Sequence, residues 1–188
     1  MASVPRSSQT KEAAGEFVRK WYKLSGGEIP NMPNVKAVPD GYRTVTPYLT
    51  VRGVDQLIDF VTGAFNAEEI FAMRSPDGHV SHAEFRIGDS IVMMGEARGE
   101  WQPSSTTLYL YVPDCDSVYD QALSAGGTSV QELTDQFYGD RSGAVKDPCG
   151  NMWWIATHQE DVSPEELQRR AQTMYGAKPE AAATAAGA

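Results

Sequence analysis

The 188-residue chain is poor in the residues that staple, chelate and span. It holds only two cysteines, Cys115 and Cys149, and three histidines, His79, His82 and His158. Two cysteines at this length exclude a disulfide scaffold, and no sequence pattern sets a histidine beside either thiol as a base. Both are expected to be small, partly buried thiols. No apolar run approaches the roughly 18 residues of a membrane helix, so no membrane partner is expected. The N-terminal MASVPRSSQT lacks the apolar segment of a secretory signal, which makes cytoplasmic location the expectation. Basic clusters are missing as well. The net charge is −9 and the only adjacent basic pairs are Arg19-Lys20 and Arg169-Arg170, a balance that disfavours nucleic acid as a partner.

What is present is an ordinary globular composition, 41% hydrophobic and 22% charged, arranged as a repeat between two appendages. Near the start, Thr10 can cap a helix running to about Leu24. Ala14, Phe17, Val18 and Trp21 form its apolar stripe and Ser25-Gly26-Gly27 stops it. A proline-bearing loop then leads to an Asp40-Gly41 turn. At the other end, Ser163-Pro164-Glu165-Glu166 is a strong helix start, with the helix expected to reach about Tyr175. Ala181 to Ala188 is an Ala-rich tail expected to be disordered.

Between them the order of elements occurs twice. An extended YRTVTPYLTV precedes a helix striped by Val54, Leu57, Ile58, Val61 and Phe65, and three extended pieces follow. After a loop, TTLYLYV, a helix from about Asp116 and three further extended pieces repeat the pattern. A slide of 61 positions lays Val51 on Val112, Asp55 on Asp116 and Asp59 on Asp120. Four parts are expected: an N-terminal extension (1–40), a first βαβββ module (41–104), a second (105–160), and a C-terminal helix with its tail (161–188).

The phrases TVTPYLTVRGVDQLIDFVTGAFNAEEIF, HVSHAEFRIGDSIVMM and DQFYGDRSGAVKDPCGNMWWIATHQEDVSPEE resemble the vicinal oxygen chelate superfamily: glyoxalases, bleomycin- and fosfomycin-resistance proteins, and extradiol dioxygenases. The likeness covers about Gly41 to Arg170. It implies an α+β fold of two tandem βαβββ modules whose curved mixed sheets form a cup, with helices added at both ends. It also implies metal ligands on the first and last strands of each module, and dimers that exchange modules between chains.

Strand alternation assigns the faces. Val45, Pro47, Leu49 and Val51 should meet the first helix, with Thr44, Thr46, Tyr48 and Thr50 on the cup side. Leu108, Leu110 and Val112 should meet the second helix, leaving Tyr109 and Tyr111 in the cup. His82, Glu84 and Arg86 share one face of a third strand. The last strands are apolar on both sides. Matching their preceding glycine turns pairs Met94 with Ala156. The family's ligand positions then fall near Thr46, Met94, Tyr109 and Ala156. None of these is a His, Asp or Glu, and a divalent-metal site needs about three such side chains converging. No metal and no cofactor is therefore expected.

The cup is instead expected to be aromatic and thioether-rich. Thr46, Tyr48, Met94, Tyr111, Phe137, Tyr138, Trp153 and Trp154 are its candidate ligand-binding residues. Such walls suit a flat or hydrophobic small organic molecule. Two functions are favoured: a binding or sequestering protein of the resistance type, or a metal-independent enzyme (lyase, isomerase or cyclase type) on a natural-product-like substrate; a third, a metal-dependent glyoxalase or dioxygenase, is disfavoured by the ligand positions. In the second, His82, Glu84, Tyr109 and Arg141 are the candidate catalytic residues. His82 and Glu84 sit two apart on one strand face and could form a general-base pair. Arg141 could hold a ligand oxygen or pair locally with Asp140 or Asp147. His158 is expected to be structural. A homodimer is the expected assembly.

Overall fold

The computed structural model describes residues 36–175. The chain divides into two units, Met1–Pro39 and Asp40–Ala188, and the architecture below is that of the second. The helix expected between Thr10 and Leu24 and the Ala-rich tail lie outside the described residues.

The first half runs β1 (Tyr48–Val51), α1 (Val54–Phe65), β2 (Glu68–Arg74), β3 (Val80–Ile87) and β4 (Ser90–Glu96). The second runs β5 (Thr107–Tyr111), α2 (Cys115–Ser124), β6 (Thr128–Asp135), β7 (Asp140–Lys146) and β8 (Met152–His158), followed by α3 (Pro164–Tyr175). Each half folds into a four-stranded mixed sheet, in the orders β1-β4-β3-β2 and β5-β8-β7-β6. In both, the first strand pairs in parallel with the last and the other pairings are antiparallel. A parallel return needs a long crossover, and the helix with its two following strands supplies it. The protein is thus α+β, built as two βαβββ repeats.

Local chemistry explains the elements. Asp114 caps α2 by accepting from the Ser117 N–H, while Asn66 ends α1 in the left-handed conformation. The Ser163 hydroxyl accepts from the Glu166 N–H at the start of α3. The N-terminus of α1 is served from afar. Both carboxylate oxygens of Glu96 accept from the Gly53 and Val54 amides at 2.9–3.1 Å, so the end of β4 neutralises the helix dipole of α1.

One continuous core lies on the helix side of both sheets. Leu49, Val51, Ala83, Phe85 and Met94 from the first sheet and Val145, Trp153 and Ile155 from the second are buried against α1 and α2. Phe60 and Phe65 of α1 reach across to Trp153, with ring centroids 6.3 and 4.9 Å away. Full burial of side chains this size contributes roughly 1.5–3 kcal/mol each. Gly143 lets α2 approach its sheet: a Cβ there would stand 2.9 Å from the Tyr119 ring and 3.0 Å from the Gln131 carbonyl oxygen. The main contact between the two halves is helix on helix, with Gln121 donating to the Gly63 carbonyl at 2.8 Å.

Several face assignments need correction. The first strand begins at Tyr48, so Val45, expected on the helix side, is 83% exposed. Thr46 precedes the strand and turns back to donate to the Arg43 carbonyl oxygen. Met94 is fully buried on the helix side, paired with Leu49 and Ala83; Met93, paired with Tyr48 and Glu84, holds the other face. The glycine turns misled because the β3–β4 turn is tight, whereas β7 and β8 are joined by the longer Asp147–Asn151 turn. The true relation keeps the offset of 61: Tyr48 with Tyr109 and Met93 with Trp154 occupy matching rungs. Trp153 likewise belongs to the core and not to the uncovered face.

Candidate functional site

Among the described residues, each sheet keeps one face without a helix over it, and the sequence has placed aromatic side chains there. On the first sheet the uncovered rungs carry Tyr48, Met93 and Glu84, then Thr50, Gly95 and His82. On the second they carry Tyr109, Trp154 and Ala144, then Tyr111, Ala156 and Ser142, and at the end His158 opposite Asp140. Tyr48, Tyr109 and Tyr111 remain 52%, 43% and 65% exposed, against the tendency of large rings to be covered.

The first face is organised around His82. Tyr48 stacks on its ring and its hydroxyl lies 3.3 Å from Nδ1, while Nε2 lies 3.2 Å from Glu84 Oε1. The Tyr42 hydroxyl donates to Glu84, which pushes the Tyr42 phenol pKa upward. His82 and Glu84 therefore do meet, as their spacing implied. A cavity of about 460 Å³ opens beside them, lined by Tyr48, Thr50, Gly95, Glu96, Arg98 and Trp101.

The second face is organised around Asp140, 3% exposed at the start of β7. Its Oδ2 accepts from the Tyr111 hydroxyl at 2.9 Å and more loosely from Tyr109 at 3.4 Å. Its Oδ1 meets His158 Nδ1 at 2.7 Å, and His158 Nε2 reaches Asp161 at 3.0 Å. Held between two carboxylates, the His158 imidazole has its pKa raised by the bond to Asp140 first and to Asp161 second. Burial, with the Tyr138 hydroxyl 3.4 Å away, drives the Tyr109 phenol strongly upward; the bond to Asp140 raises Tyr111. Tyr109 and Trp154 lie nearly parallel, 6.0 Å apart. The Ser142 hydroxyl is fully buried on this face, close to the Tyr109 phenol.

Of the sequence candidates, Tyr109, Tyr111, Tyr138 and Trp154 come together here, and Tyr48, His82 and Glu84 come together on the first sheet. Phe137 packs instead between Tyr138 and Tyr175 of α3. Arg141 is a correction. It lies on the helix-covered face, where it binds Asp116 of α2 with two bonds of 2.7–2.8 Å and Asp135 at 3.2 Å. It ties α2 to the sheet and does not reach the uncovered side. Neither Asp140 nor Asp147 is its partner. Sequence reasoning missed Asp140 and Ser142 as members of the site. The alternation in Asp140-Arg141-Ser142 would have marked them once Arg141 was assigned to the opposite face.

The resemblance implies a metal between such faces. Among open-face positions of the four first and last strands, only His158 is a ligand-type side chain, and both its nitrogens are engaged. Glu84 and Asp140 are likewise committed to neighbouring donors. Among the described residues no three His, Cys, Asp or Glu side chains are grouped so as to hold a metal ion. The donor set does not fit a divalent cation.

Comparison with known proteins agrees with this architecture. An uncharacterized protein of Mycobacterium bovis, Mb0911c, is 35% identical over 135 residues, covering 66% of this chain and 89% of its own. The uncharacterized Rv0887c of Mycobacterium tuberculosis is 35% identical, with 79% of its length covered. Among solved structures, TioX from Micromonospora sp. ML1 superposes with a TM-score of 0.52 at 21% identity, over 61% of this chain and 98% of TioX. The fosfomycin resistance protein FosX from Mesorhizobium loti gives 0.47 at 19%, over 61% and 91%. No helix of the described residues is long and apolar enough to cross a membrane. Residues 43–155, which contain both repeats and nearly all of both open faces, match the family directly: the chain belongs to the Glyoxalase/Bleomycin resistance protein/Dioxygenase superfamily.

Proposed function

We propose that this protein binds a flat aromatic small molecule on its uncovered sheet faces, without a metal. The observation that carries the reading is the parallel Tyr109–Trp154 pair on an uncovered face, beside the Asp140 cluster. Two aromatic planes with a nearby acceptor suit a ring bearing a polar substituent. Exposed apolar side chains on both sheets support a second copy as the cover: the chain spends its helix faces on each other and leaves Tyr48, Phe71, Met73, Tyr109 and Tyr111 exposed. A homodimer that apposes a first-module face with a second-module face would enclose the ligand.

The test is native mass spectrometry of the purified protein, followed by titration with 2-naphthamide as an uncharged aromatic probe. Expected are a dimer, probe binding, and at least about tenfold weaker binding on replacing both Tyr109 and Trp154 by Ala, from stacking worth roughly 0.5–1.5 kcal/mol per pair plus lost area. Stoichiometric side-chain-bound metal, or binding indifferent to both substitutions, defeats the reading.

A second reading, a metal-independent enzyme, is favoured by the chain Tyr111–Asp140–His158–Asp161, which links an exposed phenol to an imidazole between two carboxylates. Such a chain can hold or pass a proton. Catalysis predicts turnover that collapses in His82→Ala or Tyr109→Phe, whereas a binding protein returns its ligand unchanged.

A further inference from the structure

The cavity beside Tyr48 has a chemistry of its own. Beyond β4 the chain makes a tight reversal in which Arg98 and Trp101 form an isolated antiparallel bridge. The Arg98 N–H donates to the Trp101 carbonyl and the Trp101 N–H to the Arg98 carbonyl, both at 2.9 Å. Gly99, at φ +55°, makes so tight a turn possible. Residues paired across such a bridge project their side chains to the same side. Both residues line the cavity, and Trp101 is 73% exposed.

Among the described residues the Arg98 guanidinium makes no hydrogen bond or ion pair, a condition it shares with Arg86, while Arg43, Arg52, Arg74, Arg141, Arg169 and Arg170 each have a side-chain acceptor. The one carboxylate lining the cavity, Glu96, is turned to the Gly53 and Val54 amides. Glu100, in the turn, is exposed. The Tyr48 ring also lines the cavity and lies over β4 so closely that a Cβ at Gly95 would meet its hydroxyl at 2.3 Å. Thr50 adds a hydroxyl. An unpaired arginine in a protein of net charge −9, flanked by an indole and a phenol, is complementary to a planar ring carrying an anionic group.

We propose that this cavity selects an aromatic carboxylate, its ring between Tyr48 and Trp101 and its carboxylate on Arg98. The proposal rests on the aromatic-ligand reading above and adds the charge of the ligand and the residue that reads it.

The test compares 2-naphthoate with 2-naphthamide, its uncharged counterpart, by isothermal titration on the full chain. The carboxylate is expected to bind at least about tenfold more tightly, the order expected for a charge-assisted bidentate contact. That preference should weaken with added salt. Arg98→Gln should abolish the preference and leave amide binding intact, and Trp101→Ala should weaken both probes. Arg43→Gln, which loses only a surface pair with Asp89, should keep the preference. Equal affinity for the two probes, or a preference that survives Arg98→Gln, overturns the assignment while leaving the aromatic reading standing. Failure of both probes to bind overturns both.

Discussion

Asp147→Asn is a near-isosteric change that should cost far more than its size suggests. Asp147 is 4% exposed and accepts four hydrogen bonds. Oδ1 takes the Cys149 and Asn151 backbone N–H groups, both at 2.9 Å. Oδ2 takes Asn151 Nδ2 at 2.8 Å and Trp153 Nε1 at 2.9 Å. An asparagine presents one oxygen and one NH₂. Whichever way it is turned, one pair of donors faces another donor, in a region where Asn151 and Trp153 have no exposure. Two charge-assisted bonds are lost and two donors are stranded, with each lost bond to a charged group worth about 1.5–3 kcal/mol. Because the losses overlap, a net cost near 3 kcal/mol is expected for Asn, and about 4–5 kcal/mol for Ala. Either is a large share of the roughly 5–15 kcal/mol of a folded domain. Equilibrium unfolding in urea, followed by tryptophan near-ultraviolet circular dichroism, measures it. A double-mutant cycle with Trp153→Phe, which removes one stranded donor, should return about 1 kcal/mol of coupling. An Asn variant within 1 kcal/mol of the parent, or a cycle with no coupling, refutes the argument.

Two further outcomes follow from the same geometry. His158 should titrate above the free imidazole value of about 6.5, because Asp140 and Asp161 favour its charged form. Its contribution to stability is then complete below the unfolded value and is lost as pH rises through the elevated folded one. An NMR titration of the ring should show this, with Asp140→Asn moving the midpoint down; a midpoint at or below 6.5 contradicts it. The face assignment of β4 predicts that Met94→Ala costs about 2–4 kcal/mol as a core cavity, whereas Met93→Ala costs under about 1 kcal/mol. Reversed values would restore the assignment made from the glycine turns.

The aromatic cup wall was only partly legible because its legibility depends on strand register. Leu49/Val51 against Tyr48/Thr50, and Ala83/Phe85 against His82/Glu84, could be sorted by eye because apolar and polar side chains alternate. In β4 and β8 both faces are apolar, so Met93 and Met94, or Trp153 and Trp154, are equivalent to any pattern. Only the ladder to β1 and β5 distinguishes them. A slip of one residue changes the face of every side chain on a strand, and that is the error the glycine turns introduced.

The sequence by itself determined the double βαβββ order, the α3 start and the scarcity of cysteine and histidine, since these depend on periodicity, local capping and composition. Tertiary structure alone decided that Arg141 serves α2, that Asp140 gathers Tyr111 and His158, and that Arg98, bridged to Trp101, has no acceptor among the described residues. Those facts concern groups 18 to 29 positions apart, or a cation whose partners are defined only by what does not reach it. Chain-local physics carries no information about either until the strands are in register.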